Sequence, residues 1–388
     1  MEIEVRQYTK GEKMYIKGVG MTKFGIHTKT TQELCYEAIS EALEDAEMPL
    51  EEIDEIIIAK GDSSYGGERQ RLFSSVLSSI LQDKGIPIIN VVAACSGGGA
   101  AVWNAVNSGA ENILAVGVEK LTAAPTRFVT DDLMMASERI YEQAEGLNFP
   151  AQNALIAQQY MMKCNVSAKD LALVALKNHD NAFLNPKARF YQKKVTLEMI
   201  KNSPVVASPL RLFDCSISVD GAAAAIITKE KTDIEVAGSA LYADRLPAFE
   251  AKDMTSWQGS VLAARDAYAQ AGISPKDIDF AELHDAFTSV ELMAYEDLGF
   301  AEKGEGKNLI RKGKTCINGE LPVNASGGLK AKGHPISATG ISQIYEITKQ
   351  MRKQCEKRQL DKTKIALAHN VGGVGSTVTV HILKHVGG

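Results

Sequence analysis

The sequence predicts an α/β fold built from two similar halves. Apolar, β-branched segments alternate with segments of helical periodicity along the chain. Residues 41–59, EALEDAEMPLEEIDEIIIA, also have a counterpart at 266–284, DAYAQAGISPKDIDFAELH. Both segments combine a helix end, a short turn and an Ile-Asp pair that leads into a strand, and 225 residues separate Ile53 from Ile278. A duplicated α/β unit accounts for this agreement in order and spacing.

The first half is predicted to begin with a strand from Met14 to Val19 and to end with a strand from Ser216 to Thr228. An amphipathic helix starts near Thr30, where Glu33 completes a capping box. Four residues at helical spacing form its buried face: Leu34, Ala38, Ala42 and Ala46.

The second half begins with a strand from Ile234 to Ala237 and ends with strand sequence from Lys364 to Ile382. Its first helix stops at Gly272 and carries Trp257, Val261, Ala264, Tyr268 and Ala271. We therefore divide the chain into halves 1–233 and 234–388. Residues 121 to 210, rich in Met, Asn and Gln and weakly periodic, are predicted to be an insertion in the first half that covers a site or contacts a partner.

The composition excludes several classes of protein. The 388 residues are 45% hydrophobic and 23% charged, as in ordinary globular proteins. The 43 basic and 48 acidic residues give a net charge of −5 without a long basic run, which argues against binding to nucleic acid or to an anionic membrane surface. We find neither a signal peptide nor an apolar run that would span a bilayer, so we expect a cytoplasmic protein without membrane insertion.

The six cysteines are spread along the chain without a C-x-x-C pair. This spacing argues against a disulfide framework and against a zinc site, so we expect reduced thiols and no bound metal. His381 and His385 are four residues apart, but Val378 to Leu383 reads as a strand, which disfavours a metal site there too. The cysteines are Cys35, Cys95, Cys164, Cys215, Cys316 and Cys355.

Cys95 lies in INVVAACSGGGAAVWNAV, where a predicted buried strand from Ile86 to Ala94 gives way to an alanine-rich helix. At this strand-to-helix corner the thiol would face a helix N-terminus, which lowers a thiol pKa and favours a nucleophile. Three glycines follow, and they would let another chain or a ligand approach the backbone: Gly97, Gly98 and Gly99. The alternative is that Cys95 is only a small buried hydrophobic residue.

Three histidines lie beside glycine-rich sequence. His284 is in FAELHDAF, His334 is in NASGGLKAKGHPISATG, and His369 is in IALAHNVGGVGSTVTV, between two strands with a glycine-rich turn. A thiol nucleophile needs a base, and acyl transfer needs donors for the oxyanion; neutral imidazoles and backbone amides supply both. The glycine runs match neither a phosphate-binding loop nor a dinucleotide fingerprint, so nucleotide hydrolysis and hydride transfer lack support.

Five segments together resemble the thiolase superfamily over nearly the whole chain. They are AACSGG around Cys95, DCSISVDGAAAAIIT from Asp214, HDAF from His284, SGGLKAKGHPISATG around His334 and the final NVGGVG. The His-Asp pair is similar to that of the archaeal and sterol-carrier-type branch. The resemblance implies a thiolase fold, in which two duplicated α/β halves form five αβαβα layers.

The resemblance also implies roles for individual residues. An acyl-CoA would acylate Cys95, and His334 would accept the thiol proton and bind a thioester oxygen together with His284. The backbone amides of Cys95 and Gly372 would form a second oxyanion hole.

The sequence departs from the family at the second catalytic cysteine, which acts there as acid and base. Asn370 occupies its usual place, and Ala286 occupies the place that the sterol-carrier branch uses. We therefore expect His284 or His334 to move the Cα proton, with Asn370 or His369 as further acid–base or orienting groups.

The implied function is thiolysis of a 3-oxoacyl-CoA or the reverse Claisen condensation. The substrate would be bulky or aromatic, such as benzoylsuccinyl-CoA; the first alternative is a biosynthetic acetoacetyl-CoA thiolase of an isoprenoid pathway. A ketosynthase-like enzyme and a catalytically silent binding subunit are further alternatives. Coenzyme A would be a substrate, with no permanently bound cofactor. Members of this branch form at least homodimers and often pair with a small zinc-ribbon and OB-fold protein, so we expect both kinds of partner.

Overall fold

A computed structural model describes residues 12–61, 70–82 and 84–387 of the chain. Within these residues a nine-stranded mixed sheet forms the centre of the fold, and two short strands form a separate hairpin. The strands are β1 Met14–Met21, β2 Glu55–Ala59, β3 Ile88–Val91, β4 Asn112–Glu119, β5 Val205–Ala207, β6 Leu210–Arg211, β7 Gly221–Thr228, β8 Ile234–Ala243, β9 Phe280–Glu282, β10 Ile365–Gly372 and β11 Thr377–His385. The helices are α1 Thr31–Asp45, α2 Phe73–Ile80, α3 Gly97–Asn107, α4 Thr126–Met134, α5 Phe149–Cys164, α6 Ala168–Phe183, α7 Leu197–Lys201, α8 Gln258–Ala271, α9 Thr288–Asp297, α10 Gly306–Arg311 and α11 Thr339–Met351.

The strand order shows the duplication directly. The sheet runs β3-β2-β4-β7-β1-β8-β11-β10-β9, so each half, read outward from the centre, places its first strand next to its last. The halves meet where Met14–Ile16 pairs antiparallel with Ile234–Val236. In the first half, β3 pairs in parallel with β2 at the sheet edge. In the second half, Val323 occupies the corresponding position, where it pairs in parallel with Ala281 of β9. The α/β fold of two similar halves is thus confirmed.

The helices complete five layers. Helices α3 and α11 pack against each other, and each contacts strands of both sheet halves. Helix α1 covers β1 and β7 on the outside of the first half, and α8 covers β8 and β11 on the outside of the second. The order helix, sheet, helix, sheet, helix follows because each sheet half has two apolar faces to bury.

The predicted helix signals are confirmed. Thr30 caps α1 and forms the capping box with Glu33, and all four predicted contact residues of this helix are buried. Helix α8 ends at Gly272, whose φ of 64° lies in the left-handed region that favours glycine. Local capping and turn chemistry therefore predicted these helix ends correctly.

Three predicted strands need correction. The buried strand from Ile86 to Ala94 is only the short β3 at the sheet edge; Ile89 and Val92 are 51% and 64% exposed because this strand has a neighbour on one side only. The strand from Ser216 begins at Gly221, since the preceding residues form a loop that bonds to other loops. The sequence from Lys364 to Ile382 forms two strands, β10 and β11, because the glycine-rich turn reverses the chain.

Residues 121–210 contain α4 to α7 and the β5–β6 hairpin, and α5 and α6 pack against α9 of the second half. The division of the chain near residue 233 and the status of 121–210 as an insertion stay predictions. Across the described residues, no helix combines the length and apolar character needed to cross a membrane.

The glycines after Cys95 allow the two central helices to touch through their backbones. A Cβ atom added at Gly340 would lie 2.1 Å from the amide nitrogen of Gly99, and one at Gly98 would lie 2.8 Å from the carbonyl oxygen of Ser337. The sequence predicted that another chain or a ligand would lie close to these glycines. In the structure, α11 and the turn before it, which belong to the same chain, lie there.

We expect Gly340→Ala to lower the free energy of unfolding by about 1–3 kcal/mol or more, because the methyl group would overlap backbone atoms that cannot move independently. Equilibrium unfolding in urea measures this change. Gly25→Ala is the matched control, since a Cβ there would have only the His27 ring, at 4.0 Å, within contact range. Equal stabilities of the two variants would contradict this account of the helix contact.

Candidate active site

Cys95 lies in a 3₁₀ turn, Ala94–Ser96, between β3 and α3, as the predicted strand-to-helix corner requires. This turn packs against the end of β10. A Cβ atom added at Gly372 would lie 2.5 Å from the carbonyl oxygen of Ala93, and the hydroxyl of Ser96 donates to the carbonyl of Asn370 at 3.3 Å. Contacts to the second half of the chain therefore fix the position of the thiol.

The predicted lowering of the Cys95 pKa is wrong. Burial raises the pKa of the thiol to about 12, and the charge of Glu119 acts in the same direction. Backbone hydrogen bonds from Gly373 and from Cys95 itself act against this rise without cancelling it. Desolvation of the thiolate outweighs the helix N-terminus, so Cys95 is a neutral thiol near pH 7 and needs a base.

His334 presents an unprotonated nitrogen. Its Nδ1 lies 2.7 Å from the hydroxyl oxygen of Thr339, and that hydroxyl donates its hydrogen to the carbonyl of Pro335 at 3.1 Å. Nδ1 therefore carries the ring hydrogen, and Nε2 keeps its lone pair. Nε2 is buried and has no hydrogen-bond partner among the described residues. Burial and the neighbouring Lys332 lower the pKa of His334 to about 3, so the ring is a neutral proton acceptor.

His284 has the opposite tautomer. Its Nδ1 accepts hydrogen bonds from the amide of Val371 at 3.3 Å and from the side-chain nitrogen of Asn370 at 3.2 Å. The hydrogen of the neutral ring must therefore lie on Nε2. Burial, with His334 close by, holds the pKa of His284 well below its usual value. The centroids of the His284 and His334 rings are 5.4 Å apart, and the angle between the ring planes is 85°. A neutral imidazole that can donate a hydrogen bond therefore lies beside one that can accept a proton.

Asn370 joins the parts of this site. Its Nδ2 donates to the carbonyl of Cys95 at 2.9 Å as well as to His284, and its Oδ1 accepts from the amide of Gly99 at 3.2 Å. An amide does not titrate near neutral pH, so these bonds favour the orienting role over the acid–base role.

His369 does not join the other candidates. It lies within β10 rather than between two strands, so its side chain points to the face of the sheet opposite Asn370. There its Nε2 lies 2.9 Å from the hydroxyl of Ser260 in α8. His381 is likewise used inside the fold, where its Nε2 donates to the carbonyl of Gly99 at 3.1 Å.

The backbone amide that bonds to the Cys95 thiol is that of Gly373. The expected role of the neighbouring Gly372 amide in an oxyanion hole stays a prediction. The sequence reasoning missed Gly373, and it also missed Thr339, which orients His334. Both residues lie in segments that were recognised, NVGGVG and GHPISATG. A search for partners of each histidine within its own segment could have found Thr339, but Gly373 becomes visible only in the folded chain.

Buried ionic groups hold the loop that leads to His334. Asp285 accepts backbone hydrogen bonds from Leu329 and Lys330, and the Lys330 ammonium donates to the carbonyl of Asp214 at 2.6 Å. The amide of His334 donates to the carbonyl of Ile217 at 3.0 Å. The HDAF and DCSISVDG segments thus form the support of this loop.

Over residues 12–61, 70–82 and 84–387, no three His, Cys, Asp or Glu side chains come together in a way that could hold a metal ion.

A duplicated α/β fold with a thiol and two neutral imidazoles at its centre defines a cysteine-dependent acyltransferase. Residues 14–231 match the family described as "Thiolase, N-terminal domain", and residues 242–385 match "Thiolase C-terminal domain-like". The chain belongs to the thiolase family, in its sterol-carrier-type branch.

Three similar proteins span almost the whole chain. An acetyl-CoA acetyltransferase of Methanothermobacter thermautotrophicus is 40% identical, over 95% of this chain and 98% of that protein. The benzoylsuccinyl-CoA thiolase subunit BbsB of Thauera aromatica is 36% identical, over 93% of this chain and 95% of that protein. The solved structure titled "Ltp2-ChsH2(DUF35) aldolase" superimposes with a TM-score of 0.82 at 25% identity, over 97% of this chain and 99% of the matched chain.

The raised pKa of Cys95 predicts how the free enzyme reacts with iodoacetamide. Because the thiol stays protonated below about pH 12, we expect the alkylation rate of Cys95 to rise about tenfold for each pH unit between about pH 7 and pH 9. Peptide mass mapping over time measures this rate, with Cys95→Ser identifying the modified peptide. A rate that is constant across this range would instead show a preformed thiolate–imidazolium pair.

Proposed function

We propose that the protein cleaves a 3-oxoacyl-CoA with coenzyme A, or runs the reverse Claisen condensation, through an acyl-Cys95 intermediate. We further propose that the physiological acyl group is bulky or aromatic, as in benzoylsuccinyl-CoA. The observation that carries the proposal is the pair of complementary tautomers, an accepting Nε2 on His334 and a donating Nε2 on His284. The side chain of Asn370 joins this pair to the backbone of Cys95.

In the cleavage direction, His334 takes the thiol proton while the sulfur of Cys95 attacks the C3 carbonyl. The amides of Cys95 and of Gly372 or Gly373 stabilise the oxyanion that forms there. The C2–C3 bond then breaks, which leaves the acyl group on the sulfur and the electron pair on the enolate of the shorter acyl-CoA. The N–H of His284 stabilises that enolate oxygen.

The proton balance needs no second cysteine. The imidazolium of His334 returns the proton that it took from Cys95 to the Cα atom of the leaving acyl-CoA. In the second half of the reaction, His334 takes the proton of the coenzyme A thiol, whose sulfur attacks the acyl group and regenerates the Cys95 thiol. Asn370 and Ala286 can therefore stand where other thiolases have a cysteine.

We expect Cα hydrogen exchange in deuterated water to test this assignment. His334→Ala should lower the exchange of an acyl-CoA by at least about 100-fold, the usual contribution of an acid–base group, and His284→Ala should lower it through loss of enolate stabilisation. Mass spectrometry of the recovered thioester measures the exchange. His385→Ala, at the far end of β11, is the control. Wild-type exchange in both active-site variants would overturn the histidine assignment.

The similarity to an acetyl-CoA acetyltransferase favours a second candidate, a biosynthetic acetoacetyl-CoA thiolase of an isoprenoid pathway. Both candidates share the same chemistry at Cys95 and differ in the size of the acyl group. A panel of acyl-CoAs therefore decides between them.

We also propose that the protein is cytoplasmic, forms at least a homodimer and binds a small zinc-ribbon and OB-fold subunit. Ile89 on the edge strand β3 and Val92, the residue after this strand, are exposed and precede the nucleophile by a few residues. They support a dimer through this edge. The similarity to the Ltp2-ChsH2(DUF35) aldolase structure supports a second subunit. A pull-down from the native host that returned only this chain would count against the second subunit.

We expect the intact mass of the protein to increase by one acyl group after exposure to its preferred acyl-CoA, because Cys95 becomes acylated. Acetyl-CoA, succinyl-CoA and benzoyl-CoA form the panel, and Cys95→Ser is the control. Preferential loading of a bulky acyl group supports the first candidate, whereas preferential loading of acetyl supports the second. An absence of any adduct, with co-purified subunits present, would contradict both.

A further inference from the structure

A buried ion pair that the proposed reaction does not use lies beside the active site. Lys60 directly follows β2 and Glu119 is the last residue of β4, so the parallel pairing of these strands places both side chains at the same end of the sheet. The Lys60 ammonium donates to a carboxylate oxygen of Glu119 at 2.7 Å and to the carbonyl of Gly61 at 2.9 Å. The exposed fractions of the two side chains are 4% and 2%. Because removing two charges from water costs free energy, a pair in this place calls for a physical reason.

Glu119 holds the turn that follows His334. Its second carboxylate oxygen accepts a hydrogen bond from the hydroxyl of Ser337 at 3.0 Å, and that hydroxyl oxygen accepts one from the amide of Gly61 at 3.2 Å. Ser337 lies in the 3₁₀ turn Ile336–Ala338, between His334 and α11. The carboxylate therefore ties this turn to the ends of β2 and β4.

The same turn contacts the beginning of the helix that follows Cys95. A Cβ atom added at Gly97, two residues after Cys95, would lie 3.7 Å from the Cα of Ser337, which is van der Waals contact. The amide of Lys60 also donates to the side-chain oxygen of Asn90 in β3 at 3.2 Å, and β3 leads to Cys95. The ion pair is thus linked to both segments that carry the thiol and the proton-accepting imidazole.

The charge of Glu119 acts on Cys95. Burial is the main cause of the raised pKa of this thiol, and the negative charge of Glu119 raises the pKa further. A carboxylate that holds the turn therefore opposes formation of the thiolate unless a cation compensates its charge. Lys120, the residue after β4, is engaged elsewhere, since its ammonium donates to the carbonyl of His27 at 2.9 Å. Lys60 thus supplies the compensating charge.

We propose that Lys60 and Glu119 are positioning residues for the reaction at Cys95. Glu119 fixes the turn between His334 and α11 through the hydroxyl of Ser337. Lys60 compensates the carboxylate charge, so that this support does not oppose formation of the thiolate. This inference rests on the proposed acyl transfer for the reaction that the thiol performs, whereas the effect of the two charges on the thiol can be measured without a substrate.

Alkylation of Cys95 by iodoacetamide at about pH 9.5 tests the charge effect, since a buried carboxyl that has lost its cation is still ionised at this pH. Glu119→Gln should raise the rate about threefold, because a thiol pKa lower by one unit gives about tenfold more thiolate of about threefold lower reactivity. Lys60→Met leaves the carboxylate uncompensated and should lower the rate about threefold. The double variant should return to within about twofold of wild type. A loosened structure would instead expose the thiol and raise the rate in both single variants.

Acylation of Cys95 tests the positioning of His334. The probe is whichever of acetyl-CoA, succinyl-CoA and benzoyl-CoA labels the wild type fastest, and intact mass below saturation gives the rate. Ser337→Ala frees the turn and keeps the ion pair, so it should lower the acylation rate about tenfold and leave alkylation within about twofold of wild type. Arg352→Met is the matched control, because it removes the cation of an ion pair with Asp233 at the other end of α11 and should leave both rates unchanged.

Circular dichroism shows whether each variant is folded. Alkylation rates that change in the same direction in Glu119→Gln and Lys60→Met, or in neither, would overturn the role of the pair. Should Lys60→Met fail to fold, an unchanged rate in Glu119→Gln would still overturn it. Equal losses of acylation and alkylation in Ser337→Ala would overturn the positioning of His334. A wild type that no acyl-CoA labels would remove the proposed function, and the alkylation rates would then decide alone whether the pair acts on the thiol.

Discussion

The backbone contact between α3 and α11 is the constraint on which the fold and the site both depend. These helices form the middle layer, and their glycines, Gly98, Gly99 and Gly340, let them approach more closely than any side chain would allow. Cys95 precedes α3, and His334 precedes the turn that leads into α11. The contact therefore brings a residue of each half to the same point. In a duplicated fold these are corresponding places, so the site lies where the two copies meet.

The second theme of the site is desolvation. Burial raises the pKa of Cys95 and lowers the pKa values of His284 and His334, so all three groups are neutral near pH 7. Because both imidazoles are neutral, His334 can accept a proton and His284 can donate a hydrogen bond without a prior change in ionisation. His334 donates a hydrogen bond to Thr339 and His284 accepts one from Asn370, and these two bonds decide which ring accepts a proton and which ring donates a hydrogen bond. Both bonds are made within the chain before a substrate binds.

The buried ions have a separate task, which is to hold backbone in place. Lys330 and Asp285 bond to main-chain atoms of neighbouring loops, and Lys177 and Glu291 form an ion pair at 2.5 Å behind them. Removing one partner of such a pair would leave an uncompensated charge in the interior. Their arrangement fixes the loop before His334, although the sequence reasoning did not anticipate that Lys330 would be buried. The two lysines of GGLKAKGHP are typical of a loop exposed to solvent. Elements that are distant in the sequence bury this loop in the folded chain.

By itself, the sequence determined the features that depend on near neighbours. The capping box at Thr30, the stop at Gly272, the repeat of one helix–turn–strand unit and the segments that carry Cys95, His284 and His334 were all readable, because turn chemistry and periodicity act over a few residues. The resemblance of these segments to thiolases added the fold and the type of reaction.

Only the tertiary structure decided the features that depend on distant contacts. Asn370 bonds to Cys95 across 275 positions of sequence, the amide of Gly373 bonds to the thiol, and His369 is turned away from the site. The same holds for the exposed edge of β3 and for the raised thiol pKa, which was wrongly predicted. A pKa and a tautomer depend on what surrounds a group in three dimensions, and the amino-acid order near that group does not contain this information.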